Sequence, residues 1–147
     1  RDRRQFHLID LDGRTACWTG ADCGAWAGHR HQRDFSVAGN CLVGEAVLEA
    51  MEQAFLTSDP HLKLGRRLMA ALQAGEAAGG DHRSSFSTSA AVQVSGEAAF
   101  PLLDLRVDFH DRAVEQLMEV YERSQALWAQ EWRDELSELP MLNRLVA

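Results

Sequence analysis

Apolar and polar positions alternate at the start of the chain and then change period. Arg4 to Leu11 is a β-type run, and Arg14 to Thr19 is a second, with Asp12-Gly13 between them. Asp-Gly between two strand-like runs is the strongest short-range hairpin signal. Gly20 to Arg33 is rich in Gly, Ala and polar residues and reads as a loop, and Phe35 to Val43 reads as a third strand. From Gly44 the period becomes helical, with Val47, Leu48, Met51 and Phe55 on one face and Glu45, Glu49 and Glu52 off it. Asp59-Pro60 is a suitable helix start, Leu64, Leu68 and Leu72 form that helix's stripe, and Gly75 and Gly79-Gly80 end it. Ser87 to Ser95 and Phe100 to Val107 read as a second hairpin around Gly96-Glu97. Asp111 then caps one long helix, its stripe running through Val114, Leu117, Met118, Tyr121, Trp128 and on to Trp132. Residues Pro140 to Ala147 fray or dock loosely.

The resulting order is β-β-β-α-α-β-β-α, in one domain spanning residues 1–147, with residues 122–147 as a helical extension. Hairpins and paired helices in this order make an α+β protein with antiparallel sheet. Apolar residues on both faces of the strands, Phe6 and Leu8 against His7 and Ile9, predict a sheet covered on each side.

Composition narrows the function. The chain has 147 residues, 46% hydrophobic and 25% charged, which is ordinary for one globular domain. A chain of this length buries roughly 70% of its unfolded surface and needs no metal or disulfide staple. Its net charge of −7 argues against a sequence-independent grip on nucleic acid. Lys63 is the only lysine among Arg-rich basic residues, a bias that we read as genomic base composition. No apolar run approaches the roughly 18 residues of a membrane span. The odd cysteine set, Cys17, Cys23 and Cys41, suits reduced thiols in a cytoplasm. The chain opens Arg1-Asp-Arg-Arg, as expected of a processed chain or a fragment.

Four groups of residues are candidates for chemistry. Cys17, Cys23, His29, His31 and Cys41 are zinc-type ligands, but no Cys-x-x-Cys or finger spacing is present, so no metal and no cofactor are expected. Ser84, Ser85, Ser87 and Ser89 form a polar loop without a Gly-x-Ser-x-Gly elbow. Gly79-Gly80-Asp81-His82-Arg83 reads either as a helix cap and turn or as a site loop. Gly39-Asn40 inside a strand predicts a bulge, with Asn40 either in a turn or donating into a pocket.

In order along the chain stand Asp12-Gly13, Trp18-Thr19-Gly20, Cys23, Trp26-Ala27-Gly28-His29, Gly39-Asn40-Cys41-Leu42-Val43-Gly44, Val47 to Phe55, Ala77-Ala78-Gly79-Gly80-Asp81 and Leu105-Arg106-Val107-Asp108. From Arg4 to Tyr121 this succession resembles a bacterial family of uncharacterised proteins of the N-terminal nucleophile (Ntn) hydrolase superfamily. The resemblance implies an αββα four-layer sandwich, here incomplete and comprising the C-terminal two-thirds. It also implies a Thr, Ser or Cys nucleophile at the first residue of the mature chain, attacking an amide carbonyl with its own α-amine as base. Arg1 has no such group, and the family's opening strands have no counterpart here. The loop over Ser84 to Thr88 is longer than the family's, and the acidic helix past Tyr121 has no family counterpart. On this reading the full-length protein hydrolyses the C–N bond of a small-molecule or peptide amide, and this chain alone is inactive. Asn40 supplies an oxyanion or positioning donor, Asp81 and Arg83 orient the substrate or the α-amine, and His29 is a further substrate-binding candidate. The alternative is a non-catalytic binding or assembly module on the same sandwich. There Trp128 and Trp132 form a partner surface rather than cover the chain's own core, and a homodimer forms through this helix or a sheet edge.

Overall fold

The computed structural model describes residues 1–83, 90–95 and 101–137. The elements are β1 (Gln5–Ile9), β2 (Thr15–Thr19), β3 (Trp26–Gln32), β4 (Phe35–Leu42), α1 (Ala46–Thr57), α2 (Leu64–Ala77), β5 (Ala90–Val94), β6 (Leu103–Val107), α3 (Ala113–Ser124) and α4 (Leu127–Ser137). The protein is mixed α+β, as expected. Its described strands form three antiparallel hairpins, β1–β2, β3–β4 and β5–β6.

Helices α1 and α2 pack against each other and lie under two of these hairpins. Phe35 and Val37 of β4 meet Leu48 of α1, with Trp26, Met51 and Phe55 around them. Met69 of α2, Val92 of β5, and Leu117 and Tyr121 of α3 form the other cluster, flanked by Leu103, Leu105 and Val107 of β6. Hairpin β1–β2 stacks on the opposite face of β3–β4, away from α1. Alternation decides this placement: Phe35 and Val37 point to α1, so Ser36 and His29 point to β1–β2.

Several boundaries differ from expectation. The segment read as a loop contains β3, whose mixture of Gly, His and Arg lacks an alternating apolar signal. Both of its faces are instead met by packed neighbours: Arg30 reaches α1, and His29 reaches β2. The long helix breaks after Ser124, where Gln125 and Ala126 turn back onto the Glu122 and Arg123 carbonyls. The break leaves Trp128 70% and Trp132 59% exposed, so neither covers the core of the described chain. Asp59 accepts the His61 amide in a local turn, and α2 begins only at Leu64, which is itself exposed. Asp111 caps nothing: the residue before α3 is Arg112, whose amide donates to the His110 ring. β1 is also not covered on both sides, since Phe6, Leu8 and Ile9 are each about half exposed. Ser84 to Ser89, Gly96-Glu97 and the stretch from Pro140 to Ala147 lie outside the described residues.

Candidate site between the stacked hairpins

The seam between β1–β2 and β3–β4 is polar. Gln5 and Thr19 are partners in the hairpin register and so share the inward face. Gln5 Nε2 lies 2.9 Å from Thr19 Oγ1, from the Gly28 carbonyl and from the Gly39 carbonyl. One side chain thus ties β1 to β2, β3 and β4. Thr19 Oγ1 is 2.8 Å from His29 Nδ1. Further along the seam His7 Nδ1 meets Ser36 Oγ at 2.8 Å, and His31 Nδ1 meets Thr15 Oγ1 at 2.9 Å. Thr15 donates its only hydroxyl hydrogen to the Gln32 carbonyl, so the His31 Nδ1–H donates to Thr15.

Asn40 stands at one end of this seam, and a β-bulge puts it there. Trp26 pairs with Leu42 and Gly28 with Gly39, so Asn40 and Cys41 together oppose Ala27. The bulge expected at Gly39-Asn40 is present, and Cys41 adopts φ +58° to complete it. Bulges re-aim side chains. Here the exposed Asn40 donates from Nδ2 to Gln5 Oε1 at 3.2 Å. A carboxamide nitrogen carries two hydrogens. The second is the one that can reach a bound group. Asn40 and His29 are therefore linked through Gln5 and Thr19.

The glycine turn after α2 docks on the same bulge. Gly79 and Gly80 take positive φ and close the helix end, with the Gly80 amide donating to the Gly75 carbonyl. The chain then runs beside β4: the His82 amide and the His82 ring Nδ1–H both donate to the Cys41 carbonyl, at 2.8 and 2.7 Å. Asp81 bridges to Leu42 and is gripped by Arg83, whose Nε lies 2.9 Å from Oδ1 and whose backbone amide lies 2.8 Å from the same oxygen. Side-chain hydrogen bonding from Arg83 holds the Asp81 carboxyl down at about 2, against its ordinary 3.8. Its folded value lies below its unfolded one. Asp81 therefore stabilises the fold fully above pH 3.8, and that contribution is lost as pH falls towards about 2. Asp81→Asn is expected to flatten the acid limb of a stability-against-pH curve in that window, and an unchanged limb would remove this role. Arg83 is spent on Asp81, and the pair sits beside the bulge rather than in the seam.

The cysteines do not converge. Cys17, Cys23 and Cys41 are free thiols, and the described residues contain no cluster of three or more metal-ligating side chains.

Sequence reasoning missed Gln5, the residue that ties the seam together. Its only signal was register: the hairpin around Asp12-Gly13 sets Gln5 opposite Thr19. It also missed Glu52, which is 4% exposed. Glu52 is ion-paired to Arg30 Nε and accepts from Gln32 Nε2 at 3.0 Å.

The family described as "Family of unknown function (DUF1028)" matches residues 1–117. The structure is similar to the crystal structure of a DUF1028 protein from Silicibacter pomeroyi, with a TM-score of 0.74 and 33% sequence identity. The match covers 87% of this chain and 55% of that one, so the chain spans little more than half the length of this relative. No curated protein matches the chain.

Proposed function

We propose that this chain, which belongs to the DUF1028 family of unknown function, supplies the carbonyl-polarising wall of an amide hydrolase whose nucleophile lies in the part of the family's length outside these residues. The observation that carries the reading is Asn40: a bulge turns its carboxamide outward, Gln5 holds it, and a second N–H remains for a ligand oxygen. When a nucleophile adds to an amide carbonyl, negative charge develops on the oxygen. A fixed N–H donor stabilises that charge more than it stabilises the ground state. The two Gln5 Nε2 hydrogens go to the Gly28 and Gly39 carbonyls, so on this reading Thr19 keeps its hydroxyl hydrogen for His29 Nδ1, which leaves the His29 proton on Nε2 as a second hydrogen-bond donor. Asp81 and Arg83 brace the bulge through Leu42. The αββα sandwich and the N-terminal nucleophile belong to this proposal, supported by the motif succession and by the stacking of β1–β2 on β3–β4 over α1.

The test is amine release by the protein at full family length from a panel of N-acyl amino acids and short peptide amides. Asn40→Ala is expected to lower kcat by about 100- to 1000-fold, as loss of one oxyanion donor does, with KM little changed. Unaltered turnover would reject the role.

One observation favours a second reading, assembly. The outward face of β1–β2 exposes Phe6, Leu8 and Trp18, at 51%, 51% and 37%. On that reading a concentration-dependent oligomer forms at this face, which light scattering on the protein with and without Phe6→Ser would reveal.

A further inference from the structure

The first turn of α2, the β5–β6 hairpin and the break between α3 and α4 surround a pocket of about 380 Å³, far along the chain from the Asn40 seam. Its apolar wall is made by Val94, Leu102 and Leu103. Lys63 and Arg133 also line it, and among the described residues no carboxylate does. In a chain with 22 acidic residues against 15 basic ones, that lining selects for an anion. Lys63 Nζ lies 3.0 Å from Gln125 Oε1 and 3.4 Å from Gln130 Oε1. An ammonium carries three hydrogens, so one is left for a ligand. Arg133 donates to the Ser124 carbonyl and has further N–H groups. The partners of both cations are neutral oxygens, so their charge is not cancelled by an ion pair among the described residues.

The independent sign of a ligand is Tyr121. It is 3% exposed, yet its hydroxyl makes no hydrogen bond to the described residues. That oxygen is not sealed in, because every fully buried side-chain nitrogen or oxygen among the described residues has a partner. Tyr121 lines the pocket, which is therefore where its hydroxyl opens. Burial pushes the phenol up from its ordinary value, so it keeps its proton and acts as a donor. The start of α2 adds to this. The opening amides of a helix have no intrahelical acceptor and favour negative charge. Those amides belong to Leu64 and Gly65, both on the pocket, and Lys63 makes no side-chain cap over them. A Cβ on Gly65 would fall 2.7 Å from Leu103 Cδ2 and 3.1 Å from Tyr121 Cε2. Lack of a side chain there lets this helix turn lie against the Tyr121 ring.

We propose that the pocket binds a small monocarboxylate with an unbranched apolar tail. The carboxylate is received by Lys63, the Tyr121 hydroxyl and the first turn of α2, and the tail lies on Val94, Leu102 and Leu103. A few convergent polar groups on an apolar wall are the usual build of a small-molecule site, and the volume falls within the roughly 300–1,000 Å³ of such sites. An inorganic oxyanion would leave the apolar wall unused, and an alcohol would leave both cations unanswered. This inference does not rest on amide hydrolysis and stands or falls separately from it.

The test is calorimetric titration of the protein at full family length with octanoate, octanol and inorganic phosphate. Octanoate is expected to bind at one site, with octanol and phosphate weaker by about tenfold or more. Lys63→Met and Tyr121→Phe should each weaken octanoate by about tenfold while leaving the melting curve in place. Leu102 is exposed, so Leu102→Glu tests the apolar wall without touching the core and should weaken octanoate by a similar factor. Three results would overturn the proposal: no octanoate binding, octanol or phosphate binding as well as octanoate, or octanoate binding indifferent to all three substitutions.

Discussion

Leu117→Ala is expected to lower the free energy of unfolding by about 3 kcal/mol. Leu117 is fully buried at the point where α3 meets α2 and β5–β6, against Met69, Val92 and Tyr121. Removing its isobutyl group loses both transfer free energy and the contacts lining the void left behind. Three elements converge there, so collapse of one does not close the gap. Urea titration measures the loss as a lower midpoint with an unchanged slope. A loss below about 1 kcal/mol would mean that the site relaxes freely, against the packing described.

The second large effect concerns a charge. Arg30→Met removes the guanidinium that pairs with Glu52 and leaves that carboxylate, 4% exposed, with the Gln32 amide as its remaining described donor. An ion that has lost its partner inside a protein is far more costly than a pair replaced whole by apolar groups. Arg30→Met is therefore expected to lower the thermal midpoint sharply, whereas Arg30→Met/Glu52→Leu recovers most of the loss. Glu45 and Glu49, 3.4 and 3.6 Å from Arg30 Nη1, are exposed and contribute little to this difference. A double variant no more stable than Arg30→Met would show that Glu52 is not stranded by loss of Arg30.

Those two residues also show where sequence reading stops. The stripe Val47, Leu48, Met51 and Phe55 was legible, because a helix on a sheet needs one apolar face and the chain provides one. Glu52 lies one turn beyond Leu48, so it enters the same buried strip; only Arg30 on β3 explains its place there, and the residues of β3 carry the composition of a loop. Strand β3 lacks an apolar alternation because α1 meets one face through an ion pair while the stacked hairpin meets the other through hydroxyls and imidazoles. Polar pairs of this kind leave no periodic trace. Hairpins β1–β2 and β5–β6 were legible from their turn residues and flanking runs. The break between α3 and α4 was not, because Trp128 and Trp132 continue the helical spacing of the stripe while standing in solvent.

At the site, the bulge at Asn40 was legible because glycine in a strand demands a local reason. Its consequence was not. Asn40 reaches Gln5, 35 positions away in sequence, and only the stacking of two hairpins brings them together. Asp81 and Arg83 were legible as candidates beside a glycine turn; the docking of that turn on β4, where Asp81 bridges to Leu42 and His82 donates to the Cys41 carbonyl, was not.

The most direct measurement is a double-mutant cycle on kcat for amide hydrolysis, with Gln5→Met, Asn40→Ala and the double variant in the protein at full family length. If Gln5 acts by holding the Asn40 donor, Gln5→Met lowers kcat with KM little changed. Adding it to Asn40→Ala then costs almost nothing more, because the group it positions is already gone. Full additivity of the two losses, or a kcat indifferent to both, would contradict the account.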